Sequence, residues 1–70
     1  MSVLKINGQE STFADGSMPS TIADLLLSLG IDSAAVVAEL DGRVIERINF
    51  SKTQLQNGQT IELVRFVPGG

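Results

Sequence analysis

Glycine that directly follows asparagine or aspartate constrains this fold more than any other feature of the sequence. Four of the seven glycines do so, in Asn7-Gly8, Asp15-Gly16, Asp41-Gly42 and Asn57-Gly58. Such pairs favour the turn positions that need a positive φ, and they are typical of tight β-hairpins. They divide a chain of 70 residues into short segments, which indicates brief strands joined by tight turns.

Strand-forming segments flank two of these turns. Residues 3–6 and 9–13 surround the first turn and predict an N-terminal β-hairpin. Residues 36–40, which begin with β-branched side chains, and residues 43–45 surround the third turn and predict a second antiparallel pair.

The longest and most apolar strand pattern is the last one, at residues 60–67. A strand that is apolar on both faces is typical of the centre of a sheet, so we expect this strand to be central. The preceding segment, residues 46–56, is mostly polar. We expect it to be irregular and to be anchored by three apolar residues, Ile48, Phe50 and Leu55.

One amphipathic helix is predicted between the two hairpins. Thr21, with Asp24 three residues later, resembles a capping box and marks its start. Gly30 suits the left-handed position at its end, from which Ile31 would fold back onto the helix. The helix presents an apolar stripe, expected to lie in the core, formed by Ile22, Leu25, Leu26 and Leu29.

These segments predict an α+β fold, in which a mixed sheet of four or five strands wraps around one main helix. We expect a single domain over residues 1–70, with residues 68–70 as a flexible C-terminal tail. Pro68 ends the last strand because it has no N–H to continue the ladder. Gly69 and Gly70 have no role in folding, so we interpret them as a slim end whose carboxylate could enter a narrow slot.

The composition excludes most enzyme functions. The chain has no cysteine and no histidine, so its own residues cannot form a thiolate site, a Cys/His zinc site or a Ser-His catalytic pair. Glu39 and Asp41 are close in sequence, but Asp41 belongs to a turn, which makes acid-base catalysis by this pair improbable. No Walker-type loop is present to bind ATP. We therefore expect no catalytic residue, no metal and no cofactor bound by the chain itself.

Charge and hydropathy exclude two further classes of partner. The formal charge of −3 argues against nucleic acid, because the phosphate backbone is bound by clustered basic residues. The five basic residues are scattered along the sequence, at Lys5, Arg43, Arg47, Lys52 and Arg65. No apolar run approaches the roughly 20 residues that span a bilayer, and no secretory signal is visible, so we expect a cytoplasmic protein without a membrane partner.

The end of the chain resembles a known family. Residues 55–67 followed by Gly69-Gly70, together with the helix start at residues 21–26, resemble the ThiS sulfur carriers of thiamine biosynthesis. That resemblance implies a ubiquitin-like β-grasp fold over essentially the whole chain. The sequence departs from the family at Pro68, where a third glycine is frequent.

The resemblance also implies a chemistry for Gly70. Its carboxylate would be adenylated by a ThiF-like, ubiquitin-activating-like adenylyltransferase that uses ATP and Mg²⁺, and then converted to a thiocarboxylate. The sulfur would come from a persulfide donor protein and pass to a thiazole synthase. The chain would thus be a covalent substrate rather than an enzyme.

Two interpretations of the residues before the tail remain open. Alternation along the last strand places Val64 and Phe66 opposite Ile61 and Leu63, where they form either an exposed docking patch or a core beneath residues 46–56. Arg65 either pairs with an acidic partner or is a solvated charge. The candidate partner-binding residues are Val64, Arg65, Phe66 and Val67.

Other carriers share the glycine pair. The alternatives are the small subunit of molybdopterin synthase, a carrier for tRNA thiolation and a ubiquitin-like protein modifier. An alternative of another class is a non-covalent binding module like the TGS domain, which residues 15–17 and the helix resemble.

Overall fold

A computed structural model describes residues 1–67. The predicted tail, residues 68–70, lies outside the described residues. Single 3₁₀ turns occur at Ser33–Ala35 and Arg47–Asn49. The main elements in chain order are β1 (Ser2–Ile6), β2 (Gln9–Phe13), α1 (Ile22–Leu29), β3 (Val36–Leu40), β4 (Arg43–Ile45) and β5 (Thr60–Arg65).

The strands form one mixed five-stranded sheet in the order β2-β1-β5-β3-β4. β1 and β5 run parallel, whereas the pairs β1–β2, β3–β4 and β3–β5 are antiparallel. The prediction that the last strand is central is therefore confirmed. It ends at Arg65, two residues earlier than the apolar pattern indicated.

The two predicted hairpin turns have the expected geometry. Asn7 and Gly8 have φ angles of 50° and 81°, and Asp41 and Gly42 have φ angles of 50° and 84°. Positive φ at both central residues defines the type I′ turn, whose twist matches that of the adjoining strands. The sequence pairs thus determine where β1 returns as β2 and where β3 returns as β4.

The caps of α1 also follow the prediction. Thr21 Oγ1 accepts a hydrogen bond from the Asp24 N–H at 3.1 Å. At the other end Gly30 has a φ of 70°, and the Ile31 N–H donates to the Leu26 carbonyl at 2.9 Å, as in a Schellman motif. These contacts satisfy helix-terminal groups that would otherwise lack partners.

The segment before β5 covers the start of α1. The N–H groups of Ile22 and Ala23 donate to the carbonyls of Thr53 and Phe50 at 3.2 and 3.1 Å. The Leu55 N–H donates to the Ser20 carbonyl at 2.8 Å. The segment predicted as irregular therefore contains one 3₁₀ turn and supplies acceptors to the helix N-terminus.

A single apolar core lies between α1 and one face of the sheet. Its buried members are Leu4, Ile22, Leu25, Leu26, Val36, Ala38, Leu40, Phe50, Leu55, Ile61 and Leu63.

Two expected core residues are exposed. Leu29 is 45% exposed because it lies in the last turn of α1, where Ile31, rather than Leu29, packs against the core. Ile48 is 72% exposed because it lies in the 3₁₀ turn, and the inward positions of that segment are taken by Phe50 and Leu55. The predictions for Leu29 and Ile48 were wrong.

Candidate functional site

The tail follows a strand that is held on both sides. β5 pairs with β1 through Lys5–Thr60 and Ile6–Ile61, and with all five residues of β3. One further backbone bond follows the strand, from the Phe66 N–H to the Ala35 carbonyl at 3.0 Å. The backbone that precedes the tail is thus fixed as far as Phe66.

The side chain of Asn7 extends this support towards the tail. Its Oδ1 accepts from the Leu63 N–H at 2.7 Å, and its Nδ2 donates to the Leu63 carbonyl at 3.3 Å. The Asn7 N–H donates to the Ile61 carbonyl at 3.0 Å. The amide therefore takes the place of the next β1 residue in the ladder with β5.

Asp41 supports the other end of β5. Its Oδ1 accepts from the Thr60 N–H at 2.9 Å, and its own N–H donates to the Thr60 carbonyl at 2.8 Å. The first central residue of each hairpin turn, Asn7 in one and Asp41 in the other, is thus hydrogen-bonded to β5. This role was not predicted from the sequence, in which Asn7 and Asp41 match only the pattern of a turn.

Asn57 likewise does more than form a turn. Its Oδ1 accepts from the Val3 N–H at 2.7 Å, and the Gly58 N–H donates to the Val3 carbonyl at 2.8 Å. These bonds attach the entry to β5 to the side of β1.

Exposed apolar side chains precede residues 68–70 along the chain, and two of them, Val37 and Val64, lie on the face of the sheet away from α1. Val64 is 59% exposed and lies opposite Val37, which is 42% exposed. Phe66 and Val67 are 47% and 84% exposed. We call Val37, Val64, Phe66 and Val67 the tail-side patch. Of the two interpretations of Val64 and Phe66, the structure supports exposure, because the segment 46–56 does not cover them.

Charged side chains of β3 and β5 lie next to this patch along the two strands. Arg65 is exposed, and no carboxylate within residues 1–67 lies within salt-bridge distance of it; the one ion pair there joins the Met1 amine to Asp15 at 2.7 Å. Glu39 lies opposite Glu62 across β3 and β5. Asp41 Oδ1 accepts from the Thr60 N–H, as described above, so this carboxylate supports the backbone of β5.

Within residues 1–67 no cluster of carboxylates could hold a metal ion. None of the helices in that range is long and apolar enough to cross a bilayer. Gly70, Gly69 and Pro68, on which the predicted acyl chemistry depends, lie outside the described residues.

Comparison with known proteins identifies a family match along nearly the whole chain. A model of the ThiS family matches residues 4–70. The sulfur carrier protein ThiS of Bacillus subtilis is 29% identical over 68 residues, which are 97% of this chain and 100% of that protein. A thiazole synthase of Paramagnetospirillum magneticum is 33% identical over 67 residues. These residues are 96% of this chain, but this chain spans only 20% of the length of that synthase.

Solved structures agree with this match. The crystal structure of the thiamine biosynthesis protein ThiS from Geobacter metallireducens superposes with a TM-score of 0.78 at 36% identity, covering 97% of this chain and 99% of that one. A solution structure of a thiamine biosynthesis protein from the same organism superposes with a TM-score of 0.77 at 34% identity, covering 100% of this chain and 88% of that one. The predicted ubiquitin-like β-grasp fold is confirmed.

Proposed function

The chain belongs to the ThiS family, and from this we propose that it is a sulfur carrier for thiazole formation in thiamine biosynthesis. The observation that carries the proposal is the family match, which extends through Gly69 and Gly70. The relatives with solved structures are thiamine biosynthesis proteins, which favours this pathway over molybdopterin synthesis and tRNA thiolation.

Sulfur would be carried on the carboxylate of Gly70. An ionised carboxylate is a poor acyl donor, so one of its oxygens first attacks the α-phosphorus of ATP and pyrophosphate leaves. A sulfur nucleophile then attacks the acyl carbon and AMP leaves: sulfide gives the thiocarboxylate directly, whereas the terminal sulfur of a protein persulfide gives an acyl disulfide. A second thiol then attacks the donor protein's sulfur in that acyl disulfide, which releases the thiocarboxylate and leaves a disulfide between the thiol and the donor. ATP and Mg²⁺ are held by a ThiF-like activating enzyme, since this chain has no Walker-type loop.

The chain's own residues would present the acyl group and remain inert towards it. β5 and the Phe66–Ala35 bond fix the base of the tail. Glycine at positions 69 and 70 adds no Cβ where an enzyme must surround the carbonyl. No cysteine of the chain can capture the activated acyl group.

The activating enzyme and the thiazole synthase would both dock on the tail-side patch. Exposed apolar side chains next to a reactive end are typical of a protein interface. Val64, Phe66 and Val67 supply the apolar contact, and Arg65 supplies a charge for an acidic group of the partner. The match to a segment of a thiazole synthase supports the second of these partners.

The test is conversion followed by intact mass. The purified chain is incubated with a ThiF-like enzyme, ATP, Mg²⁺, a persulfide donor and a thiol that can cleave the acyl disulfide. We expect the mass to increase by the difference between sulfur and oxygen, and fragmentation to place the exchange at Gly70. A reaction without ATP is the control. An unchanged mass in the complete reaction, or exchange at another residue, would refute the proposal.

A further inference from the structure

A polar groove lies at the free edge of the sheet, between β4 and the segment that follows it. Its volume is about 520 Å³. The groove is lined by Arg43, Val44, Ile45, Glu46, Asn49, Lys52 and Thr53. Arg43 and Lys52 appear unrelated in sequence, but the fold brings both to one groove. We call this feature the basic edge groove.

The groove lies in the most basic part of an acidic chain. Residues 43–53 contain three of the five basic residues, Arg43, Arg47 and Lys52, and one acidic residue, Glu46. Three positive charges and one negative charge give this segment a charge of +2. The remaining residues carry a charge of −5, and the whole chain therefore has a net charge of −3. An approaching anion is therefore attracted here and repelled elsewhere.

Both cations are available to a ligand. Arg43 and Lys52 are exposed, and within residues 1–67 neither forms an ion pair, although Glu46 lines the same groove. The wall beside them is well supported: Thr53 Oγ1 donates to the Asn49 carbonyl at 2.7 Å, and the Thr53 carbonyl accepts from the Ile22 N–H.

We propose that the basic edge groove binds carboxylate side chains of a protein partner. A guanidinium matches a carboxylate in a bidentate geometry, and the Lys52 ammonium adds a second charge. A protein partner is favoured over nucleic acid. The chain has a net charge of −3, so a long phosphate backbone would be repelled by the rest of the chain more than it is attracted by two cations.

The partner is the protein that acts on the tail, and in this respect the inference rests on the proposed function. Only β3 separates β4 from β5. With strands about 4.8 Å apart, Arg43 lies about 10 Å to the side of Ile61 at the start of β5, and Val64 of the tail-side patch lies three residues further along that strand. A partner that buries about 800 Å² of one protein would cover both the tail-side patch and this edge. Charges at such a rim mainly steer and orient association.

The test is an NMR titration of the ¹⁵N-labelled chain at low salt with a capped peptide Leu-Glu-Glu-Leu. Separate arms use the peptide Leu-Gln-Gln-Leu and inorganic phosphate. We expect the glutamate peptide alone to shift the amide resonances of Arg43, Asn49, Lys52 and Thr53. We expect the Arg43→Gln/Lys52→Gln variant to bind the glutamate peptide with about fivefold lower affinity than the unmodified chain, in line with the loss of two exposed charge pairs.

The matched control is Lys5→Gln/Arg47→Gln. It changes the net charge from −3 to −5, as the first variant does, but neither residue lines the groove. It should retain the affinity of the unmodified chain within about twofold. Equal loss in the two variants, equal shifts with phosphate, or no shifts with the glutamate peptide would overturn the inference. Because the titration measures no sulfur transfer, its failure is distinct from that of the proposed function.

Discussion

The contact between Asn7 and Leu63 provides a quantitative test of how the tail is supported. The substitution Asn7→Gly retains a residue that adopts the φ of 50° and removes the two hydrogen bonds to Leu63, at 2.7 and 3.3 Å. A hydrogen bond contributes about 1 kcal/mol net, and more when the remaining partner stays partly buried. We therefore expect the free energy of unfolding to fall by about 2 kcal/mol.

For a domain of this size that loss corresponds to a decrease in Tm of about 10 °C. Urea denaturation followed by circular dichroism measures the free energy, and amide hydrogen exchange should show faster exchange at the Leu63 N–H. Asp41→Gly is the matched control, because Asp41 has the same φ of 50° but its side chain accepts one bond, from Thr60. It should cost about 1 kcal/mol.

Two outcomes would contradict this reasoning. If Asn7→Gly costs no more than Asp41→Gly, the second bond of the amide contributes nothing. If exchange at the Leu63 N–H is unchanged, Asn7 does not support β5 in solution. The substitution Asn7→Asp retains the acceptor but places a carboxylate oxygen near the Leu63 carbonyl, 3.3 Å from the present nitrogen. It should therefore be less stable than the unmodified chain as well.

Three further predictions concern the tail, the patch and the core. Gly70→Ala should leave Tm unchanged and sharply reduce thiocarboxylate formation measured by mass; normal formation would contradict the role of Gly70. Val64→Asp should weaken binding to thiazole synthase in calorimetry by at least about tenfold with little change in Tm, since Val64 is 59% exposed; unchanged affinity would exclude the patch. Leu25→Ala should cost about 3 kcal/mol and Leu29→Ala less than about 1 kcal/mol in urea denaturation; equal costs would place Leu29 in the core.

Local features of the fold could be predicted from the sequence because they depend on neighbouring residues. Asn7-Gly8 and Asp41-Gly42 determine type I′ turns through backbone sterics alone. Thr21 and Gly30 cap α1 through contacts that span three to five positions of the chain. Once these turns and caps are located, few arrangements of the remaining apolar segments bury a common core.

Features that depend on distant contacts could not be predicted in this way. The amide of Asn7 meets Leu63, and no periodicity relates the two. Arg43 and Lys52 share a groove only because the segment after β4 folds back. The apolar residues of β5 correctly indicated a central strand, but the prediction assumed that both faces of the strand are buried. Only the inner face is buried, whereas Val64 on the outer face is exposed.

The order of the strands has a consequence for biosynthesis. β5 is translated after the other four strands of the sheet, yet it joins the two hairpins, since Lys5 pairs with Thr60 and Val36 with Arg65. The hairpins can form early, but closing the sheet requires contacts between β1 and β5, which are far apart in the sequence, and this slows folding. A nascent chain therefore cannot complete its native sheet before residues 60–65 have been translated.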